Sequence, residues 1–218
     1  MIFKRLLIAY ILFTPVTSAF CVTEDLLPRT IKYKLDLRID YSDDKLYAGC
    51  ELTILNDTDH PMEKIPVLLY RLLTVRSVEN EDNITIPFTQ KIVSISGWEK
   101  GQANFVEISP GELISPGEQR KIKITYEGYL LGYSETGWRY VKDHIDRNFT
   151  IIRTDGFGYP ILGYPDEHNM WAIVKERYDY TINITVPSGM NAVTGGRLVD
   201  QIENENTTTF IYHSKKPS

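Results

Sequence analysis

Apolar and polar residues alternate one by one along four stretches of this 218-residue chain. These stretches are Ile31–Asp40, Leu46–Leu55, Lys121–Tyr126 and Tyr178–Val186. Successive side chains of a β-strand point to opposite faces, so the pattern predicts strands with one buried and one wet face. The last stretch runs into Pro-Ser-Gly, a sequence that ends strands. The four stretches therefore predict the frame of a β-sheet.

Shorter apolar stretches follow one another at intervals of roughly ten residues along the rest of the chain. An almost unbroken apolar run, Ile65–Val75, fits either a buried strand or a short helix, and the neighbouring strands and Pro66 favour one central strand. Further strands are predicted at Ile84–Phe88, Lys91–Ser96, Asn104–Ile108, Phe149–Arg153, Met190–Val199 and Thr208–His213. The irregular segment Tyr129–Asn148 predicts a long loop. Because no stretch keeps a helical period, the predicted fold is all-β, an antiparallel β-sandwich or an open barrel, and we adopt the β-sandwich.

The first 19 residues have the composition of a secretory signal peptide. Lys4 and Arg5 precede an apolar core that is too short to span a bilayer, and small residues end the segment at Ala19. We therefore predict a signal peptide at 1–19, a linker at 20–30 and one β-sandwich domain at 31–218. The mature protein is expected to be secreted or at the cell surface. A membrane partner is expected only if the leader is retained or Cys21 carries a lipid.

Charge and the remaining sequence motifs fit an exported protein. Loss of Lys4 and Arg5 makes the formal net charge of −5 two units more negative, which argues against nucleic acid as a partner. Cys21 and Cys50 could form a disulfide, but the apolar alternation around Cys50 favours a small buried side chain. Sequons for glycosylation occur at Asn56, Asn83, Asn148, Asn183 and Asn206.

The sequence contains no catalytic constellation. None of its four histidines belongs to an HExxH zinc motif, and no Gly-x-Ser-x-Gly elbow occurs. The acid–His pairs at 143–144 and 166–168 are typical of solvated loops. A group of loop aromatics is a better candidate for ligand contact: they either form a rigid binding face or close one end of the core. These residues are Trp138, Tyr140, Phe157, Tyr159, Tyr164 and Trp171.

Several short motifs, taken in their order along the chain, carry a family resemblance. They comprise two opening strands, a Pro-Gly-Glu turn before a strand ending in Tyr-x-Gly, an acidic loop before a strand, and a closing hairpin. Their ranges are Tyr33–Leu37, Leu46–Asn56, Leu113–Glu118, Ile122–Gly128, Tyr164–Glu167, Tyr180–Pro187, Val193–Leu198 and Phe210–Pro217. In this order they resemble the N-terminal β-sandwich domain of the M1 family of zinc aminopeptidases, the group that includes aminopeptidase N. The resemblance covers residues 31–218.

The resemblance implies a domain without catalytic residues. The family's zinc motif and its Gly-x-Met-Glu-Asn substrate motif are absent from this sequence. His168 stands where the family has Pro, and residues 152–159 offer no match for the Gln or Glu that this domain lends to the substrate's amino end. We therefore assign no catalytic residue, metal ligand or cofactor to the chain.

Two functions are compatible with this sequence. The first is a truncated or split peptidase, in which this domain covers a separate or missing peptidase domain and shapes substrate access. Such a domain is expected to expose a large apolar patch where its partner would pack. The alternative is a secreted β-sandwich that binds a protein or a glycan through its aromatic loop.

Overall fold

The computed structural model describes residues 27–98, 100–132, 144–167 and 177–215, which form eleven strands. The strands are β1 (Arg29–Asp40), β2 (Lys45–Leu55), β3 (Ile65–Tyr70), β4 (Leu73–Asn80), β5 (Phe88–Ser94), β6 (Gln102–Ile108), β7 (Gln119–Tyr129), β8 (Ile161–Leu162), β9 (Asp179–Pro187), β10 (Arg197–Glu203) and β11 (Thr207–Ser214). No helix of the described residues is long and apolar enough to cross a membrane.

Seven of these strands form one large sheet in the order β10-β11-β9-β1-β2-β7-β4. The alternation predicted for β1 and β2 is confirmed, because Leu35 and Leu37 of β1 and Leu52 and Ile54 of β2 are buried while their neighbours face outward. Cys50 of β2 is also fully buried in this core, as its apolar neighbours predict. The large sheet thus presents one apolar face along its length.

The remaining four strands form a smaller sheet in the order β5-β6-β3-β8. Every residue of its inner strand β3 is buried. The two sheets share one core, so the all-β, two-sheet prediction is confirmed.

One strand pair corrects the prediction of a purely antiparallel sandwich. Strands β1 and β9 run parallel, with Lys32 opposite Asp179 and Arg38 opposite Thr185. The large sheet is therefore mixed. Alternation shows that a strand is half-buried, but it contains no information on the direction of its neighbour.

The apolar run predicted as one strand over Ile65–Val75 is in fact two strands in different sheets. β3 ends at Tyr70, a turn at Arg71 and Leu72 follows, and β4 begins at Leu73 in the large sheet. Both strands contribute buried side chains to the shared core, and Arg71 in the turn is the single charged residue of the run where the chain changes sheet.

Three shorter predictions are also corrected. Residues 149–153 form no strand, residues 84–87 contribute only an isolated bridge between Glu79 and Thr85, and β10 begins at Arg197 rather than at Met190. Residues 147–155 and 190–196 are coil instead, and much of this coil faces a cavity that is described below.

Two side-chain amides fasten the smaller sheet to the edge strand of the larger one. Gln90 of β5 accepts a hydrogen bond from the backbone N–H of Val75 and donates one to its carbonyl, both at 3.0 Å. Buried Asn104 of β6 donates to the carbonyl of Leu73 at 2.7 Å and to Oε1 of Gln90 at 3.0 Å. The amide of Gln90 thus takes the place of a neighbouring strand for β4.

Removing the amide of Asn104 is expected to destabilise this fastening. Asn104→Ala leaves the buried carbonyl of Leu73 without its donor, and we expect it to lower the free energy of unfolding by about 2 kcal/mol. Urea denaturation followed by circular dichroism should show a lower midpoint at an unchanged slope. The exposed β5 variant Thr89→Ala is the control and should change stability by less than about 0.5 kcal/mol. Equal losses in both variants would contradict the role of Asn104.

A close backbone contact at Gly128 holds the turn between β3 and β4 against β7. Gly128 has a φ of +156°, and a Cβ built on it would overlap the carbonyl oxygen of Leu72. The next residue, Tyr129, donates its backbone N–H to that same carbonyl at 3.3 Å. Only a residue without a side chain allows the turn to approach so closely.

We expect Gly128→Ala to be among the most destabilising single changes in the chain. The added methyl group must displace backbone, and the expected loss of unfolding free energy is about 3 kcal/mol or more. Gly117 is a suitable control, because its φ is +77° but a Cβ there meets nothing within 4 Å. Gly117→Ala should therefore cost only about 1 kcal/mol, from backbone conformation alone. Thermal or urea unfolding that ranks the two variants equally would refute the steric explanation.

Candidate functional site

The predicted aromatic loop is divided between the core and the surface. Phe157 is fully buried and Tyr159 is part-buried, while Tyr164 is 38% exposed and packs beside Phe105 with ring centroids 6.1 Å apart. Trp138, Tyr140 and Trp171 lie outside the described residues. The described part of this group therefore closes the core at Phe157 and does not form one continuous binding face.

A tight turn holds Phe157 in place. Phe157 has a φ of +55°, a conformation that bulky side chains rarely adopt. Its backbone N–H donates to the backbone carbonyl of Thr154, and its own carbonyl accepts a 2.7 Å hydrogen bond from the N–H of Tyr70. The next residue is a glycine, Gly158, and a Cβ at this position would overlap the side chain of Ile152. Burial of the Phe157 ring and these backbone bonds offset the conformational strain.

Beyond this turn, tyrosines from three parts of the chain meet. The Tyr33 ring of β1 packs edge-on against Tyr178 and Tyr159, with centroids 4.6 and 5.7 Å apart. The hydroxyl of Tyr159 lies 2.5 Å from Oγ1 of Thr154 and 3.0 Å from the hydroxyl of Tyr178. Tyr33 donates its own hydroxyl hydrogen to the carbonyl of Pro160 at 2.9 Å. Edge-on ring contacts and hydroxyl bonds together make this cluster rigid.

The tyrosine cluster lies at a cavity of about 970 Å³, here called the cleft. The core face of β1 and β9 lines it, as do the coil segments 147–155 and 189–194. On the sheet side the lining changes from Tyr33 and Tyr180 to aliphatic residues such as Leu37 and Ile184. A mostly apolar concave surface with a few polar groups is typical of binding sites.

Sequence reasoning missed the cleft, although it identified the strands that line it. The alternation of β9 predicted an apolar face, and that face exists. However, Tyr180, Ile182 and Ile184 are only part-buried, whereas Leu52 and Ile54 of β2 are fully buried. Alternation cannot distinguish a covered apolar face from an open one, because both have the same period.

The described polar residues that line the cleft offer hydrogen bonding and charge. Arg153 pairs with Asp155 at 3.5 Å, and Asn148 and Arg147 stand among the polar lining residues. Within the described ranges, no group of three or more His, Cys, Asp or Glu side chains is placed to hold a metal ion. We therefore assign the described residues no step of hydrolysis.

The sequons occupy different environments. Asn56 is fully buried, and its Nδ2 donates to the carbonyls of His60 and Ile114, both at 2.8 Å. Both hydrogens of that nitrogen are therefore used within the folded chain, and glycosylation at Asn56 stays a prediction. Nδ2 of Asn183 is bonded to Asp36 at 2.5 Å. Asn83, Asn148 and Asn206 are exposed, and their glycosylation stays a prediction.

The disulfide prediction concerns a residue outside the described ranges. Burial raises the pKa of the Cys50 thiol, which keeps it protonated and unreactive at neutral pH. Its possible partner, Cys21, is not among the described residues. Pairing of the two therefore stays a prediction, while packing accounts for the presence of Cys50.

Fold and cleft together define a class of protein: a two-sheet β-domain with a mostly apolar cleft. No protein-family model and no curated protein sequence matches the chain. Solved structures do match its fold.

Crystal structures of the M1 zinc metallopeptidase from Deinococcus radiodurans match with TM-scores of 0.58 to 0.61, at 16 to 17% sequence identity. They include a variant bound to a Tyr-Ser-Ala substrate. The match covers 86% of this chain but only 39% of that one. The chain thus has the fold of an N-terminal-domain-like fragment of an M1 zinc metallopeptidase, and the resemblance drawn from sequence motifs is confirmed at the level of fold.

The buried tyrosines generate a prediction about alkaline pH. Burial raises the pKa of Tyr33 and Tyr126 well above the ordinary value of 10.0, and it also raises the pKa of Tyr159. Above about pH 10 the unfolded chain releases these protons while the folded chain keeps them. The folded state then binds more protons, so its stability must fall as pH rises further.

Tyrosinate absorbance during an alkaline titration checks this prediction. At least three tyrosines should remain un-ionised until the protein unfolds, whereas all should titrate together in concentrated urea. Tyr159→Phe should remove one of the delayed tyrosines. Titration of every tyrosine near pH 10 in the folded protein would show that these hydroxyls are accessible.

Proposed function

We propose that this chain is the non-catalytic β-domain of an M1-type zinc metallopeptidase. In this function it packs against a zinc-bearing peptidase domain and limits which peptides reach the zinc. The observation that carries the proposal is the fold likeness, which extends over 86% of this chain and 39% of the Deinococcus radiodurans enzyme. The order of motifs from Tyr33 to Pro217 in the sequence supports the same assignment.

The chemistry of the described residues supports a scaffold function. They include no metal-binding group, and their most perturbed side chains are buried tyrosines and a buried thiol that stay neutral. A zinc-dependent reaction would therefore need ligands from elsewhere. The domain's contribution would be its rigid two-sheet frame and its surface.

The alternative, a secreted module that binds through the aromatic loop, receives less support. Phe157 is buried, and the hydroxyl of Tyr159 is bonded to two neighbouring residues. Only Tyr164 of the described loop aromatics is exposed.

Native purification tests the proposed function. The full chain, isolated under mild conditions from cells that produce it, is expected to carry with it a zinc-bearing polypeptide that contains an HExxH motif. The complex should hydrolyse aminoacyl amides, and a chelator should abolish that hydrolysis. The same chain produced alone should hydrolyse none. Chelator-sensitive hydrolysis by the chain alone, or a native chain that is purely monomeric, would overturn the proposal.

A further inference from the structure

The two most exposed large apolar side chains of the described residues both line the cleft. Val193 is 84% exposed and Phe149 is 65% exposed, and both line the cleft. They belong to two coil segments far apart in sequence, and the fold brings both segments to the same cleft. Exposed apolar residues beside a concave apolar surface mark interaction sites. We call Phe149 and Val193 the lips of the cleft.

Behind the lips, the sheet continues the apolar surface. The core-facing residues of β9, including Tyr180, Ile182 and Ile184, are only part-buried, while those beside them on β1, such as Leu35, are buried. The cleft therefore offers one apolar surface that begins at the sheet and ends at the lips.

The dimensions of the cleft suit a short stretch of polypeptide. From Tyr33 to Ile39 the lining strand advances six residues, or about 20 Å at 3.3 Å per residue. An extended segment of about six residues has the same length. A small molecule held against the sheet would leave the lips in water, whereas a segment of a larger molecule would also cover the lips.

The charged residues at the cleft indicate that it prefers a ligand with a carboxylate. Arg147 lines the cleft and forms none of the ion pairs found among the described residues, whereas Arg153 is paired with Asp155. The carboxylate of the neighbouring Asp146 accepts the backbone N–H of Asn148 inside its own turn, and this bond lowers its pKa. The guanidinium of Arg147 is therefore available to a carboxylate of a bound segment.

We propose that the cleft binds an extended apolar segment of a partner protein, flanked by an acidic residue that pairs with Arg147. The lips contact apolar side chains of that segment, and the tyrosine cluster forms one rigid end of the cleft that binds it. The proposal does not depend on the peptidase association proposed above, because it concerns the surface of this chain alone.

A synthetic peptide provides the probe. We would label the octapeptide Glu-Ser-Leu-Ser-Phe-Ser-Leu-Ser with fluorescein and measure its binding to the full chain by fluorescence anisotropy. The double variant Phe149→Ser with Val193→Ser should bind it at least about tenfold more weakly, because both lips lose their apolar contact. The control is Ile84→Ser, which removes a side chain that is 60% exposed in the β4–β5 connection, away from the cleft. It should bind within about twofold of the unmodified protein, whereas equal affinity of the double variant would overturn the proposal.

Charge reversal at Arg147 distinguishes specific binding of the peptide in the cleft from non-specific adsorption to an apolar surface. Arg147→Glu should weaken binding of the acidic peptide and strengthen binding of the same peptide with Lys in place of Glu, and added salt should reduce both effects. Urea midpoints of all variants should match that of the unmodified protein, since the changed side chains are exposed. Failure of the unmodified chain to bind the peptide would overturn the proposal. So would binding of a fluorescent fatty acid without binding of the peptide, which would assign the cleft to a lipid.

Discussion

Two sheets of unequal width must share one core in this fold, and the rest of the structure depends on that mismatch. Strands lie about 4.8 Å apart, so seven of them span about 29 Å and four span about 14 Å. The smaller sheet can therefore cover only about half of the larger sheet's apolar face. What lies over the other half must be coil, a partner or solvent. The cleft between β9, residues 147–155 and residues 189–194 is where coil covers that face incompletely.

The position of the smaller sheet decides which half is left open. The chain passes from one sheet to the other between Tyr70 and Leu73, and Gly128 permits the close approach at that crossing. Gln90 and Asn104 then fasten the smaller sheet to β4, which is an edge strand of the large sheet. Because the attachment is at one edge, the middle of β9, on the far side of β1, lacks the cover that β2 receives, although Phe210 and Tyr212 of β11 beyond it are buried. The cleft is thus a consequence of where the crossing occurs.

The sequence allowed the strands to be predicted better than their arrangement. Alternation located β1, β2 and β9 within two residues, because a half-buried strand must repeat with period two. It could not show that β9 runs parallel to β1, nor that the apolar run at Ile65 contains a change of sheet, because core residues of either sheet are equally apolar. The exposure of the two lip residues could not be predicted from the sequence for a related reason. Phe149 and Val193 occupy stretches that read as strands but form coil, and their exposure follows from long-range packing.

The likeness to M1 zinc metallopeptidases and the proposed binding surface rest on different parts of the chain, and this separation has a physical cause. Core positions such as Leu52 and Ile54 tolerate exchange among apolar residues of similar volume, so a fold can persist at 16% identity. Coil side chains such as Arg147, Phe149 and Val193 contribute little to the core, so sequence change there alters binding without altering the fold. Shared architecture therefore indicates which scaffold this chain uses. The side chains at the cleft determine which ligand the scaffold binds.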